Sequence, residues 1–251
     1  MIRLRIEGDI GWSRSRPVLE RVKLAFSSGE LNCVLGPNGS GKTTLLLTLG
    51  GALKPLSGRV ELSPPRAEAV YVPAYPPDFS GLSVGVVLSY YVSGCRGILP
   101  GREREEFERA LELLERLGGE IEPERGADEL STGERTKLML AGALASRARI
   151  LLLDEPTSHL DVRARLELFS LLREARREKL VIASMHEVNE ASLYCDSATL
   201  LSGGEALQGP VREILRTENL TRAYRVEFEE ILSGRFRFFV PLRPLGVGRS
   251  A

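Results

Sequence analysis

The sequence is poor in several features that mark particular classes of protein. Its 34 basic and 34 acidic residues cancel, so net charge gives no argument for a nucleic-acid partner or an acidic membrane surface. No uninterrupted apolar run approaches the roughly 18 residues that would span a bilayer. The N-terminal residues alternate apolar and charged side chains, which predicts a β-strand rather than a signal peptide.

Cysteine and glutamine are also scarce. Cys33, Cys95 and Cys195 are odd in number and widely spaced, so we expect reduced thiols of an intracellular protein rather than a disulfide or a metal site. Gln208 is the only glutamine, while arginine and glutamate are abundant, a composition that leans toward a heat-adapted source.

A glycine-rich loop from position 36 to 44 is the strongest motif. It lies between a predicted buried strand at 31–35 and a predicted helix at 43–53, and it fits the G-x-x-x-x-G-K-[ST] pattern. Such a loop points backbone N–H groups at phosphate oxygens, while Lys42 reaches the β- and γ-phosphates and Thr43 can ligate Mg²⁺. We therefore predict a nucleoside triphosphate site formed by Gly36, Pro37, Asn38, Gly39, Ser40, Gly41, Lys42, Thr43 and Thr44.

The chain around this loop reads as an α/β core with one insertion. With 251 residues and 43% hydrophobic content it can form one large domain with a small subdomain. Residues 75–101 are rich in proline, glycine, serine and aromatic residues, and an amphipathic helix is predicted from Arg102 to Leu117. We predict a core made of residues 1–73 and 147–251, with an N-terminal antiparallel β subdomain and a C-terminal hairpin, and a helical subdomain at 74–146.

An acidic pair follows a second buried strand. Four aliphatic residues at 150–153 precede Asp154 and Glu155. Alone this would be an ordinary strand end before a turn. With the phosphate loop upstream, Asp154 is expected beside the Mg²⁺ site, and Glu155 is expected to polarise the attacking water.

The segment Leu130-Ser131-Thr132-Gly133-Glu134 resembles the Leu-Ser-Gly-Gly-Gln signature of the ATP-binding subunits of ABC transporters, from which it departs at Thr132 and Glu134. The resemblance implies a P-loop ATPase fold with a mixed sheet, and a signature helix that binds the γ-phosphate of ATP held by a second copy. Ser131 with Glu134 is also a capping box, which by itself only starts a helix. Both interpretations can hold if Glu134 turns back toward the Ser131 backbone, as we expect.

Other segments match the same family in order. Residues 158–161 resemble its D-loop, which crosses the dimer interface and contributes Asp161 to the nucleotide site, with His159 as an interface residue. His186 resembles the switch histidine that contacts the γ-phosphate. Trp12 sits where the family places an aromatic residue that stacks on adenine, although a core or surface tryptophan is an alternative. The Q-loop glutamine, which in the family touches Mg²⁺ and the attacking water, is replaced by Ala74.

The downstream third of the chain indicates a branch of the family. His186-Glu187-Val188-Asn189 followed by Tyr194-Cys195-Asp196 resembles the ATPases that energise uptake of iron–siderophore, haem and cobalamin. This implies a homodimer on the cytoplasmic face of the membrane, joined to permease subunits and indirectly to an extracellular substrate-binding protein, without nucleic acid. Candidate permease-groove residues are Tyr75, Pro76, Pro77, Phe79 and Leu82, with an ordinary packed loop as the alternative for this stretch.

Three alternatives stay open from the sequence. They are an ABC exporter ATPase, a non-transport ABC ATPase such as a cytosolic Fe–S assembly factor, and a nucleotide-binding subunit that has lost efficient turnover. The last is prompted by Ala74, Thr132 and Glu134. The transported substrate does not follow from the sequence.

Overall fold

A computed structural model describes residues 1–64, 67–95, 104–119 and 122–246. Within these ranges the chain forms eleven β-strands and eight α-helices. The strands are β1 (Arg3–Ile10), β2 (Leu19–Ser27), β3 (Leu31–Leu35), β4 (Arg59–Ser63), β5 (Ala69–Val72), β6 (Ile150–Leu153), β7 (Leu180–Ser184), β8 (Ser197–Ser202), β9 (Glu205–Pro210), β10 (Val226–Ser233) and β11 (Phe236–Pro244). The helices are α1 (Lys42–Leu49), α2 (Val84–Val92), α3 (Arg104–Arg116), α4 (Thr132–Ala145), α5 (Val162–Ala175), α6 (Val188–Tyr194), α7 (Val211–Ile214) and α8 (Thr217–Tyr224).

The chain divides into two compact units. The first unit contains Met1–Leu4, Ser27–Gly29 and Leu62–Ala183. The second unit contains Arg5–Phe26, Glu30–Glu61 and, among the described residues, 184–246. Each unit holds part of the predicted site, and each is described by itself below.

The first unit is built on three parallel strands in the order β5-β6-β7. Every residue of β6 and β7 is buried, as expected for strands covered on both faces. The buried strand predicted at 150–153 has the observed bounds of β6. Because parallel strands end at a common edge, this arrangement brings the residues after β5 and β6 to one side of the first unit.

Helices α2, α3 and α4 pack together in the first unit, and α2 was not predicted from the sequence. Its β-branched and aromatic residues lie in a stretch whose composition suggested irregular structure. Ser83 begins the helix by accepting a hydrogen bond from the Val86 backbone nitrogen at 3.4 Å. Packing against α4 then stabilises it, with the Tyr91 hydroxyl 3.0 Å from the Met139 sulfur. Helix α3 confirms the predicted amphipathic helix, although the predicted start at Arg102 lies outside the described residues.

The second unit contains a mixed sheet and the predicted hairpins. Strand β3 pairs in parallel with β8, which pairs in antiparallel with β9 across the turn at Gly203 and Gly204. A separate three-stranded sheet has the order β2-β1-β4, which confirms the predicted N-terminal β subdomain. The C-terminal hairpin of β10 and β11 is also confirmed. Helix α8 was not predicted; it ends where Arg225 adopts a left-handed backbone with φ of 55°.

The expectation of three reduced thiols is wrong for two of them. Cys33 on β3 and Cys195 at the end of α6 form a disulfide, with Cα atoms 6.2 Å apart. Both side chains are buried, and the Met185 sulfur lies 3.7 Å from one disulfide sulfur and 3.8 Å from the other. Sequence reasoning missed this pair because 162 residues separate the two cysteines and only the fold brings them together. Cys95 is a free thiol.

No described helix combines the length and the apolar character that crossing a bilayer requires.

Candidate functional site

The phosphate loop joins the end of β3 to the start of α1 in the second unit. Gly36 has φ of 149°, and a Cβ there would lie 2.5 Å from the Leu201 backbone oxygen and 2.6 Å from Ser40 Oγ. Gly39 and Gly41 also have positive φ, 77° and 100°. The loop therefore requires glycine at position 36 for both conformation and space.

Polar groups converge on this loop. Lys42 is 6% exposed, and its ammonium donates to the Gly36 and Pro37 backbone oxygens at 3.0 and 3.5 Å. Ser40 Oγ is buried and has no hydrogen-bond partner among the described residues. Thr43 is exposed in the first turn of α1. A positive helix end, a lysine and an unsatisfied hydroxyl fit a bound phosphate group.

His186 lies in the same unit as the phosphate loop. It is exposed and follows Met185, whose backbone nitrogen donates to the Val34 backbone oxygen at 2.9 Å. Val34 is two residues before Gly36, so the segment that carries His186 is tied to the strand that leads into the loop. Trp12, also in the second unit, is 68% exposed, as stacking on a base would require. Both assigned roles remain predictions.

Asp154 and Glu155 follow β6 in the first unit. Asp154 is 2% exposed, its backbone nitrogen donates to the Val72 oxygen at 2.9 Å, and its carboxylate accepts from the Tyr71 hydroxyl at 3.1 Å. Glu155 has φ of 50°, a left-handed backbone that is unfavourable for a residue with a Cβ. Such strain concentrates at functional sites. It is a second reason, independent of the motif, to assign Glu155 a chemical role.

Carboxylate and hydroxyl oxygens such as those of Asp154 and Thr43 suit Mg²⁺, a hard cation. The described residues contain no group of three or more His, Cys, Asp or Glu side chains that could hold a metal ion. Mg²⁺ normally binds to one or two protein oxygens together with substrate phosphates and water. Asp154 and Thr43 each carry an oxygen of the type that Mg²⁺ takes from protein when it binds with a nucleotide.

The signature segment begins α4, and its capping geometry confirms the expected orientation of Glu134. The Glu134 carboxylate accepts from the Ser131 backbone nitrogen at 2.8 Å and from the Ser131 hydroxyl at 2.7 Å, while Ser131 Oγ accepts from the Glu134 nitrogen at 3.3 Å. The Ser131 hydroxyl and backbone N–H hold the pKa of Glu134 below its usual value. Glu134 is therefore committed to the helix cap.

The D-loop segment packs under the signature segment. A Cβ on Gly133 would lie 2.8 Å from the His159 backbone oxygen, so only glycine allows this approach. Asp161 caps α5 by accepting from the Ala164 nitrogen at 2.9 Å, and Lys137 of α4 lies 3.4 Å from the Asp161 carboxylate. The Ala164 N–H and the Lys137 charge lower the pKa of Asp161. Its predicted nucleotide contact remains untested beside these structural bonds.

The segment after Ala74 matches the proposed permease groove only in part. Tyr75 is 74% exposed and Leu82 is 41% exposed, and Pro77 is also exposed. Phe79 is 5% exposed, so its inclusion among the exposed groove residues was wrong. The Leu82 backbone nitrogen donates to the Phe79 oxygen at 3.0 Å, so a local turn follows Phe79.

The predicted site residues divide between the two units. The second unit holds Trp12, the phosphate loop and His186. The first unit holds the acidic pair, the signature segment and Asp161. Sequence reasoning missed Tyr71 and Lys137, which touch predicted site residues; their only signal was a position on an element next to a motif.

Comparisons with known proteins identify a family and several relatives. Residues 19–158 match the family model described as ABC transporter. The hemin import ATP-binding protein HmuV of Rhodopseudomonas palustris is 34% identical over 239 residues, covering 83% of each chain. The manganese transport system ATP-binding protein MntA of Synechocystis is 31% identical, covering 84% of this chain and 85% of that protein. A solved metal-chelate type ABC transporter in an inward-facing conformation has a TM-score of 0.80 and 26% identity, covering 96% of this chain and 98% of that chain.

Proposed function

The chain belongs to the ABC transporter family as an ATP-hydrolysing subunit, and from this premise we propose that it energises uptake of a metal chelate such as haem, iron–siderophore or cobalamin. The observation that carries this proposal is the tail that begins at His186. Its sequence resembles the chelate-uptake ATPases, and its characteristic residues make specific contacts in the second unit.

Asn189 and Asp196 show what the tail pattern does physically. The Asn189 side chain accepts from the Phe239 backbone nitrogen at 2.7 Å and donates to the Phe239 oxygen at 3.3 Å. The Asp196 carboxylate accepts from the Leu31 nitrogen at 2.7 Å. Asn189 thus holds the C-terminal hairpin, and Asp196 fixes the start of β3. These contacts support treating the tail as one inherited structural feature.

The named relatives support the same substrate class. One is a hemin import protein, and the solved transporter is of the metal-chelate type. The manganese relative has similar identity, so the proposal extends to metal-containing substrates in general and favours chelates because of the tail.

We propose the following roles for the phosphate-binding residues. The Lys42 ammonium leaves its backbone acceptors and binds the β- and γ-phosphates of ATP. The backbone N–H groups of the loop donate to the same phosphates. Thr43 and Asp154 would hold Mg²⁺, which would neutralise charge on the phosphate oxygens. Trp12 offers an exposed ring to the adenine.

Glu155 and His186 are proposed to act on the attacking water and the γ-phosphate. The Glu155 carboxylate would accept a proton from the water as general base, and the left-handed backbone at Glu155 supports a functional role for this residue. The His186 side chain donates to the γ-phosphate.

Two copies are proposed to complete each site. Ser131, Thr132, Gly133 and Glu134 start a helix whose N-terminal end would face the γ-phosphate held by the other copy, and Asp161 would cross the same interface. ATP binding then closes the dimer and hydrolysis releases it. Two-fold symmetry makes both sites equivalent.

The partners follow from the proposed transport role. We propose a peripheral position on the cytoplasmic face of the membrane, where a helical subdomain at 74–146 docks a permease and residues 1–73 and 147–251 form the ATPase core. The exposed Tyr75 and Leu82 offer apolar surface for a permease helix. An extracellular substrate-binding protein would complete the system.

Purification of the native complex tests this proposal. A tagged chain is extracted from its own membranes in mild detergent, and its partners are identified by mass spectrometry together with bound metal and haem. We expect an integral permease, an extracellular binding protein and a metal-containing ligand. Recovery of soluble partners alone, or of an exporter permease, would contradict the import role while leaving the ATPase assignment intact.

A further inference from the structure

Tyr71 and Asp154 lie on neighbouring parallel strands of the first unit. Strands β5 and β6 pair with Tyr71 beside Leu152 and Val72 beside Leu153. Alternate residues of a strand face the same side, so Asp154, two residues after Leu152, continues the face that Tyr71 occupies. The Tyr71 hydroxyl reaches the Asp154 carboxylate and donates to Oδ2 at 3.1 Å.

Strand β5 also holds the backbone of Asp154. The Asp154 nitrogen donates to the Val72 oxygen at 2.9 Å, and the residue is 2% exposed. Two consecutive residues of β5 therefore fix both the main chain and the side chain of the acid.

We propose that Tyr71 is a positioning residue for Mg²⁺, whose hydroxyl orients the Asp154 carboxylate toward the metal. A carboxylate with one oxygen engaged by a charge-assisted hydrogen bond has restricted rotation, and its second oxygen points in a defined direction. Such outer-shell hydrogen bonds strengthen metal binding, and their loss weakens metal affinity by about 10- to 100-fold.

This inference rests on the proposed function, in which Asp154 is the Mg²⁺ residue. Tyr91 provides a control, because it is a tyrosine of the same unit, more deeply buried than the half-buried Tyr71, and its hydroxyl contacts the Met139 sulfur rather than a carboxylate. Tyr71→Phe and Tyr91→Phe each remove one hydroxyl and keep the ring.

The experiment is a Mn²⁺ titration of the full chain with a non-hydrolysable ATP analogue, read by the electron paramagnetic resonance signal of free Mn²⁺. Tyr71→Phe should raise the half-saturating Mn²⁺ concentration about tenfold. Tyr91→Phe should stay within about twofold of the wild type. Analogue binding in EDTA should be the same for all three proteins, because a role in metal positioning does not act on metal-free binding.

Several results would overturn the inference. The first is an equal Mn²⁺ affinity for the two variants. The second is analogue binding by Tyr71→Phe that is weakened in EDTA as much as in Mn²⁺. The third is loss of folded Tyr71→Phe protein in a thermal unfolding scan. Asp154→Asn separates the two levels of the proposal. The proposed Mg²⁺ role of Asp154 fails if the wild-type protein binds no Mn²⁺ with the analogue, or if Asp154→Asn binds Mn²⁺ as the wild type does. If Asp154→Asn loses Mn²⁺ binding but Tyr71→Phe binds Mn²⁺ as the wild type does, only the inference about Tyr71 fails.

Discussion

The carboxylate of Glu134 accepts hydrogen bonds from both the backbone nitrogen and the hydroxyl of Ser131, at 2.8 and 2.7 Å. These bonds explain how an acidic residue can lie in a segment that is proposed to face a triphosphate. The negative charge is held against a helix N-terminus, where the helix dipole favours it. The residual charge near a second copy's ATP would still oppose dimer closure.

Glu134→Gln should therefore tighten the ATP-dependent dimer. The amide oxygen can still accept from the Ser131 nitrogen, so the cap is retained while the charge is removed. We expect the dissociation constant of the dimer with ATP to fall about two- to fivefold, from an electrostatic change of about 0.5–1 kcal/mol. Analytical ultracentrifugation with a non-hydrolysable ATP analogue measures it.

Glu129→Gln serves as the control for this variant. Glu129 is an exposed acid beside the same segment, and it pairs with Arg125 at 3.4 Å. Equal dimer constants for Glu134→Gln and Glu129→Gln would argue against a phosphate facing the signature helix.

Tyr75 should position the D-loop through His159. The two rings are 5.3 Å apart at an interplanar angle of 57°, and His159 Nε2 is buried without a hydrogen-bond partner among the described residues. Tyr75→Ala removes an aromatic contact of about 0.5–1.5 kcal/mol, so the ATP-dependent dimer should weaken about two- to tenfold. Tyr75→Phe keeps the ring and should match the wild type. A weakened dimer in the Phe variant would contradict the ring-contact explanation.

Lys179 should make stability depend on pH above about pH 8. Burial and the nearby Arg109 charge lower its pKa from 10.5 to about 8. Between these values the unfolded chain binds more protons than the folded chain, so stability rises with pH. The free energy of unfolding in urea is measured for the wild type and for Lys179→Met. The wild-type value minus the variant value should increase from pH 8 to 10, by at most about 1.4 kcal/mol per pH unit. Unfolding free energies of the two proteins that change in parallel with pH would refute the lowered pKa of Lys179.

An exposed lysine calibrates this comparison. Lys23 has a 79% exposed side chain and pairs with Glu7 at 3.3 Å on the surface. Lys23→Met should show no such rise between pH 8 and 10 relative to the wild type. A similar rise in both variants would assign the effect to general charge rather than to burial.

The Cys33–Cys195 disulfide should leave one titratable thiol per chain. Thiol titration of protein unfolded in guanidinium without reductant should count Cys95 alone. Reduction should lower stability, because the bond closes a long loop; in the chain-entropy model the contribution is up to about 5 kcal/mol. Three reactive thiols in unreduced protein would contradict the bond. Cys95→Ser should bring the count to zero and confirm the assignment of the free thiol.

The parts of the site that follow from sequence are those set by local chain chemistry. A glycine loop with Lys42, a buried strand that ends in Asp154, and a serine three residues before Glu134 each act within a few residues of chain. The strand bounds at 31–35 and 150–153 follow for the same reason, because each is a short run whose every residue is buried.

The remaining features depend on residues that are distant in sequence. Tyr71 meets Asp154 only because β5 pairs with β6, and the disulfide forms only because α6 ends beside β3. Helix α2 packs against α4, which offsets its β-branched residues, and Phe79 is buried in a segment whose prolines favoured an exposed loop. Tertiary context overrode local composition in each case.

The central claim is that Glu155 activates water in a site completed by two copies of the chain. Glu155→Gln, with Glu205→Gln as a surface control, is purified and mixed with ATP and Mg²⁺. Light scattering coupled to size exclusion is measured together with phosphate release. The account predicts that Glu155→Gln binds ATP, hydrolyses it slower by orders of magnitude and elutes as a dimer that the wild type does not accumulate. Hydrolysis at the wild-type rate, or a monomer with ATP bound, would contradict it.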